Sequence, residues 1–348
     1  MGFMNLFNCK IGKSHSYLAI KALILFISMF ILSYQTCLAK DNVIPYSKKD
    51  AYVRLPLLFK GYDELINMYS GSSYIYPGSF AMDDNYIYIQ YVFEPKQKDN
   101  VIVLYDHQGK YKGYFLIDSG GKGNAGEGLS IQAIDNFNTR IYVASNNGFM
   151  KAYLFQHNFQ KKRLEKISEK YIGVYNQFSY RNGRWLIEHY NNQRDIHINR
   201  TDLNLTDDYF NVIREIKLPL SYSGFITNDA NKDAKLYNKR QGLALGDFYF
   251  VAGYGAFYYS KIKASKNTYQ GIRVFDLSGG VIYQKIIEPQ VFINTLIKNG
   301  FNASRIENEG VFVSNNNKII YSLYVYSDRF HKKTATREGI VILMDELN

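Results

Sequence analysis

The chain has 348 residues, with 42 Lys and Arg against 31 Asp and Glu and a formal net charge of +11. It holds 32 Tyr and 23 Phe but only 6 Pro and 2 Cys, which excludes a Pro-rich linker, a disordered tail and a disulfide-dense scaffold. The basic surplus favours anionic partners; it bears on encounter and solubility, not on fold.

Residues 1–21 carry Lys10, Lys13 and Lys21 and no acid. Ala22–Leu32 is apolar except for Ser28, and Ser33–Ala39 brings small residues at Cys37 and Ala39. This pattern predicts a signal peptide, residues 1–39, cut after Ala39. An apolar run of about 11 residues falls short of the roughly 20 that span a bilayer, although an uncleaved anchor is the other reading. Tyr34–Thr36 lacks the small and apolar pattern of a lipid-anchor site at Cys37. Cleavage removes three lysines and both cysteines, Cys9 and Cys37. No thiol, disulfide or cysteine-based metal site then remains. The expected location is secreted, periplasmic or cell-envelope, with no transmembrane segment left after cleavage.

Residues 40–74 read as an N-terminal extension or as first blade strands, and Ala51–Met68 mixes helical and strand patterns. Strand-sized aromatic and β-branched segments then follow one another. They are Tyr86–Phe93, Asn100–Tyr105, Tyr111–Ile117, Arg140–Ser145, Arg184–Tyr190, Asp195–Asn199, Phe248–Ala252, Gly271–Phe275, Val281–Ile287, Lys318–Val325 and Gly339–Met344. Gly, Asn and Asp punctuate them, with Asn182-Gly183 and Asp202–Asp208 as turns in the middle and Ser119–Gly126 as a loop between units. Gln290–Lys298 is the one short helix expected.

An order of landmarks occurs twice. Gly78–Tyr88 matches Gly242–Phe250, each running from a glycine through a short strand and an Asp turn to an aromatic strand. Leu104–Gly109 matches Val274–Gly279, placing Asp106 over Asp276. Gly126–Ile131 matches Asn308–Val313, placing Glu127 over Glu309. Asn138–Tyr142 matches Asn317–Tyr321. Units of roughly 40–60 residues built of short strands predict an all-β fold, a single β-propeller of five or six blades over residues 75–348.

The carrying motifs are Gln241–Leu245, Ile272–Gly279 and Glu309–Val313, with first-half counterparts at 78–83, 102–109 and 127–131. In this order they resemble the β-propeller shared by helveticin-type bacteriocins, teichoic acid biosynthesis protein C and the receptor-binding proteins of staphylococcal phages. The resemblance spans about residues 75–345. It implies a bacterial propeller that binds a cell-surface glycopolymer or acts on one. The signal peptide departs from the phage and helveticin-like pattern.

Glu127 and Glu309 are the candidate catalytic pair, each followed by glycine. Two carboxylates across a propeller mouth would suit a glycosidase acid and base. They would also suit an oxygen-ligand cation site, or simply accept backbone N–H groups at a strand entry. Asp106 and Asp276 fit Asp-x-x-Gly turns. His189 and His197 share a hairpin, but with no metal-ligand spacing, and no metal or cofactor is expected. No Gly-x-Ser-x-Gly, Gly-x-Gly-x-x-Gly, His-Glu-x-x-His or phosphate loop is present. Tyr254, Tyr258, Tyr259 and Lys261 are the candidate ligand-binding residues, because tyrosines suit sugar faces and lysines suit phosphate or uronate groups. The leading functional reading is an exported, non-catalytic binder of a cell-envelope glycopolymer, anionic in character and teichoic-acid-like or polysaccharide. The alternatives are a bacteriocin-like effector or glycan-cleaving enzyme, and a structural protein-interaction propeller. Export argues against nucleic acid.

Overall fold

The computed structural model describes residues 51–69, 74–94, 99–118, 125–145, 149–157, 163–172, 177–188, 202–218, 240–255, 258–259, 269–327 and 339–347. Chain order begins with β1 (Ala51–Pro56) and a short helix, α1 (Tyr62–Met68). Blade 1 is β2 (Tyr74–Met82), β3 (Ile87–Glu94), β4 (Asp99–Tyr105) and β5 (Tyr111–Asp118). Blade 2 is β6 (Ala125–Ala133), β7 (Asn138–Ser145), β8 (Phe149–Gln156) and β9 (Lys166–Tyr171). Blade 3 is β10 (Phe178–Arg181), β11 (Arg184–Glu188), β12 (Asp202–Asp207) and β13 (Val212–Lys217). Blade 4 is β14 (Arg240–Leu245), β15 (Tyr249–Tyr254), β17 (Gln270–Asp276) and β18 (Val281–Ile287), with β16 (Tyr258–Tyr259) between its middle strands in sequence. Helix α2 (Pro289–Lys298) leads to blade 5: β19 (Arg305–Val313), β20 (Ile319–Ser327) and β21 (Gly339–Glu346). The fold is a five-bladed β-propeller, as the spacing of the landmarks predicts.

Blade 5 has the strand order β1-β21-β20-β19-β16. Its outer strand therefore comes from the start of the described chain, and Ala51–Pro56 pairs antiparallel with Leu343–Gly339. Ala51–Met68 reads ambiguously because a closing strand and a helix follow each other within it. The inner strands β2, β6, β10, β14 and β19 contact one another in turn and close a ring.

Apolar residues on both faces of each blade meet those of the next. Ile102, Phe115, Ile141 and Tyr153 share the core between blades 1 and 2. Trp185 and Phe178 meet Met150 and Ala152 between blades 2 and 3. Leu203 and Leu205 meet Phe250 and Tyr254 between blades 3 and 4. Val251 and Val274 meet Val311 and Ile320 between blades 4 and 5. Leu323, Ile340, Val53 and Leu55 meet Ile89, Tyr91 and Val103 between blades 5 and 1. Burial on both faces is why β4 and β14 read as nearly continuous buried runs rather than alternating ones. Helix α2 starts with Pro289 in its first turn, where a missing N–H costs nothing. It lays Phe292, Ile293 and Leu296 against Tyr324, Val341 and Leu343 of blade 5.

The duplicated landmarks coincide with equivalent strands. The first copy lies in blades 1 and 2, the second in blades 4 and 5. The Asp-x-x-Gly segments are the hairpins joining third and fourth strands. Asp106 Oδ1 accepts the amides of Gln108 and Lys110, and Asp276 Oδ1 accepts those of Ser278 and Gly280. The residues 202–208 are not a turn. Leu203 and Leu205 are buried in β12 and the turn begins only at Asp207. Asp207 then repeats the same geometry, accepting the amides of Tyr209 and Asn211. It was hidden because Phe210 stands where the other two turns have glycine, at φ 70° against 79° for Gly109 and 95° for Gly279. Phe210 stacks on Trp185 at 5.4 Å and lies under the Lys170 ammonium, which offsets the backbone strain of a left-handed non-glycine residue.

These three turns predict acid sensitivity. The Ser278 hydroxyl, followed by the Gly280 amide, holds Asp276 below the usual carboxylate range. Lys112, followed by the Lys110 amide, does the same to Asp106, and the Asn211 side chain does it to Asp207. A carboxyl depressed by folding stabilises fully above its unfolded pKa, near 3.9, and loses that contribution as pH falls through the folded value. Denaturant unfolding should therefore show stability level from neutral pH to about 5 and falling below about 4. Asp106→Asn and Asp276→Asn should narrow the difference between pH 7 and pH 3. An unchanged difference would remove these carboxyls from the acid limb.

Candidate functional site

In an antiparallel four-stranded blade the first-to-second and third-to-fourth turns fall at the same end. At that end the inner strands finish around a cavity of about 330 Å³. All five blades contribute walls, among them Asp83, Gln132, Tyr180, Arg181, Asn182 and Asn315. Farther along the axis the space narrows to a void of about 10 Å³ walled by Gly128, Gln177, Gly242 and Gly310. Glycine is required there. A Cβ on Gly242 would stand 2.8 Å from both Gly310 Cα and Val311 N, and one on Gly310 would stand 3.0 Å from the Phe80 ring. The mouth is thus a dead end closed by the inner strands.

Asp83 anchors the blade 1 side. Its Oδ1 accepts the amides of Asn85 and Tyr86, each at 2.8 Å, and its Oδ2 accepts the hydroxyls of Tyr88 at 2.6 Å and Thr139 at 3.0 Å. Thr139 thereby gives its proton to Asp83 and accepts from His157 Nε2 at 2.9 Å. Burial, followed by the Asp83 charge, holds the Tyr88 hydroxyl far above its ordinary value, so it remains a donor. With four donors on it, Asp83 positions the turn and ties blade 1 to blade 2.

Arg181 anchors the other side. Its Nε donates to Asp247 Oδ1 at 2.7 Å, and its two terminal nitrogens donate to the carbonyls of Ser314 and Asn315 at 3.2 and 2.8 Å. One side chain of blade 3 so joins blades 4 and 5. Asp247 also accepts from the Asn182 and Asn317 amides. Burial would raise the Asp247 carboxyl, but the Arg181 contact and charge outweigh it and hold it below the usual range.

Ser130 and Ser179 wall the same cavity, and each oxygen accepts a backbone amide, from Tyr180 and Leu245 respectively. Each hydroxyl keeps its own proton to donate. Gln132 is held by Tyr180 and Tyr142. The polar groups of the mouth are therefore oriented in advance by bonds among themselves. Three aromatic side chains at turn tips of this end are strongly exposed: Phe137 at 71%, Tyr209 at 79% and Phe248 at 85%.

The sequence candidates whose side chains are described, Glu309 and Tyr254, lie elsewhere. Glu309 is buried in β19, at the bulge between Asn308 and Gly310. Glu127 falls in the matching irregular stretch of β6, between Ala125 and Leu129; its side chain is outside the described residues. Each Glu-Gly pair is thus an inner-strand irregularity followed by an axis glycine. Glu309 is not among the residues that wall the mouth. Tyr254 is fully buried between blades 3 and 4, with the Arg273 guanidinium 4.7 Å from its ring. Its aromatic face is used in packing between the two blades. Tyr258 and Tyr259 form β16, whose backbone pairs with Ile306 and Arg305 of blade 5; their side chains are outside the described residues, as are Lys261, His189 and His197. Among the described residues no group of three or more His, Cys, Asp or Glu side chains is placed to hold a metal ion, and no helix is long and apolar enough to cross a membrane.

Sequence reading recognised Asp83 and Asp247 only as turn residues. Their partners Thr139, His157, Arg181 and Asn317 come from other hairpins, so only the blade arrangement brings them together.

No family model and no curated protein matches the chain. Among solved structures it is similar to the tail fibre of Staphylococcus aureus phage P68, with 12% identity and a TM-score of 0.48 over 78% of this chain and 50% of that one. It is also similar to the GH43_1 enzyme from Xanthomonas citri solved in complex with xylose, with 10% identity and a TM-score of 0.45 over 85% of this chain and 91% of that one. The chain spans about half the length of the phage tail fibre.

Proposed function

We propose that the protein is an exported, non-catalytic binder of a cell-envelope glycopolymer and that the cavity at the turn end of the propeller takes a sugar unit of it. The observation that supports this reading is the pre-oriented polar lining of that cavity. Serine hydroxyls, side-chain amides and a guanidinium surround a space of about 330 Å³, and exposed aromatics stand at turn tips of the same end. That volume lies at the lower end of ordinary ligand pockets, and hydroxyl-rich ligands need many fixed donors and acceptors rather than one charged anchor. The chain's basic surplus favours encounter with an anionic polymer and makes that encounter salt-sensitive. Among the described residues, Asp83 at the mouth is saturated by four donors and Glu309 is buried in its strand, so neither is presented as a carboxylate for cleavage.

The test is retention on purified envelope polysaccharide at low salt. Ala133 is exposed at the end of β6 and lines the mouth, so Ala133→Trp fills the cavity without entering a core. Retention should fall by at least about 10-fold, equivalent to about 1.4 kcal/mol, with the melting temperature unchanged. Glu309→Gln should leave retention intact in whatever fraction folds. Binding by Ala133→Trp equal to that of the original protein would overturn the assignment of the site. Release of reducing ends from the polymer would overturn the non-catalytic reading.

A further inference from the structure

A second cavity, about 370 Å³, lies beside the mouth between blades 5 and 1 and shares Met82, Asp83, Phe312 and Asn315 with it. Its composition differs sharply. Asp83 and Asp84 line it, and no lysine or arginine does. Asp84 is exposed, with Oδ1 accepting from Asn315 Nδ2 at 3.3 Å. Tyr52, Phe312 and Tyr321 supply aromatic walls, with the Tyr52 and Tyr321 ring centres 4.9 Å apart and those of Phe312 and Tyr321 6.5 Å apart.

The remaining ionisable group is His107. Its Nε2 lies 2.8 Å from the Asp83 carbonyl, which only accepts, so Nε2 carries a proton. Its Nδ1 lies 2.8 Å from the Tyr52 hydroxyl and takes that proton as an acceptor in the neutral ring. The cation nearest in the adjoining mouth, Arg181, is held by Asp247 and two carbonyls. The cavity therefore combines an anionic wall with aromatic rings. A phosphate or carboxylate would meet like charge there, and a neutral sugar would gain from the rings alone. A protonated amine gains twice, from the exposed Asp84 carboxylate and from the ring faces.

We propose that this cavity is a subsite for an ammonium group, the amine of an amino sugar or of an amine-bearing substituent on the glycopolymer. The proposal rests on the glycan-binding reading of the adjoining mouth. An overall anionic polymer that also carries amines satisfies both the basic surplus of the chain and the acidic wall of this cavity.

The test uses the full chain and two probes of equal length, a glucosamine tetramer and its fully N-acetylated counterpart, titrated calorimetrically at pH 7 in moderate salt. The expected result is at least about 10-fold tighter binding of the free-amine probe, with the preference abolished by Asp84→Asn and reduced by Tyr321→Leu. Asp84 is exposed, so its replacement leaves the core untouched. Equal binding of both probes, with sensitivity to Ala133→Trp, would overturn the ammonium subsite while leaving the sugar site in place. An amine preference that survives Asp84→Asn would also overturn it. Binding of neither probe, nor of purified envelope polysaccharide, would overturn both readings together.

Discussion

Replacing Arg240 with Met is expected to cost about 3–5 kcal/mol of stability, the penalty for leaving a buried charge without its partner. Arg240 opens β14 and Glu188 ends β11. The Arg240 guanidinium donates to Glu188 Oε1 at 2.8 Å, and both side chains are fully buried. Gln177 completes the junction, donating to the Arg240 carbonyl at 3.1 Å while its own carbonyl accepts the Glu188 amide at 3.0 Å. The pair thus locks the inner part of blade 3 to that of blade 4. Two charges in an apolar interior attract strongly, but each has lost its water, so the pair as a whole contributes little net stability. The single replacements Arg240→Met and Glu188→Leu should each lower the melting temperature by about 10 °C for a domain of this size. The double replacement should regain most of the loss, because two apolar side chains of similar volume need no partner. Denaturant melts of the four proteins form a double-mutant cycle and give the coupling directly. Losses that simply add would show that the two side chains act independently.

The blade pattern was legible because it is local. A glycine, an Asp turn and an aromatic strand each need only a few adjacent residues, and they recur in order at Gly78–Tyr88 and Gly242–Phe250. The Glu-Gly pairs were legible for a different reason from the one that drew attention to them. Their repetition reflects a strand irregularity that lets neighbouring inner strands approach the axis, with Gly310 and Gly242 too close for a side chain. Repetition around the ring thus marks a requirement of the scaffold. The candidate site is the opposite case. Asp83, Thr139, Arg181, Asp247 and Asn315 come from all five blades and occur once each in their roles, so no sequence window contains them. The tyrosine-rich Tyr254–Tyr259 drew attention through composition, yet Tyr254 is in the core and the 258–259 backbone bridges from blade 4 to blade 5. Composition told correctly that tyrosines matter here; it did not tell which are spent on packing between blades.

The closing strand should be as essential as any blade core. Val53, Leu55, Leu57 and Phe59 are all buried against blades 5 and 1. Full burial of such side chains contributes about 1.5–3 kcal/mol each, so the four together are worth on the order of 10 kcal/mol at most, a figure comparable to the whole stability of a typical domain. Arg54 adds a contact to the Asn299 carbonyl at 3.0 Å and lies 3.6 Å from the centre of the Phe301 ring. No covalent staple assists, since the only cysteines are Cys9 and Cys37, both outside the described propeller strands. Leu55→Ala alone should cost about 2–5 kcal/mol. Deleting residues 46–60 should leave a chain that does not melt cooperatively and that associates through the uncovered edge of β21. A synthetic peptide of residues 46–60, added in excess, should restore cooperative melting by strand addition, with recovery rising with peptide concentration as mass action requires. Retention on envelope polysaccharide should return in parallel, because the second cavity at the blade 5–blade 1 seam, with Tyr52, and the adjoining mouth depend on the same closure. A deletion variant that melts like the full chain would show instead that four strands from the carboxyl-terminal side close the ring unaided.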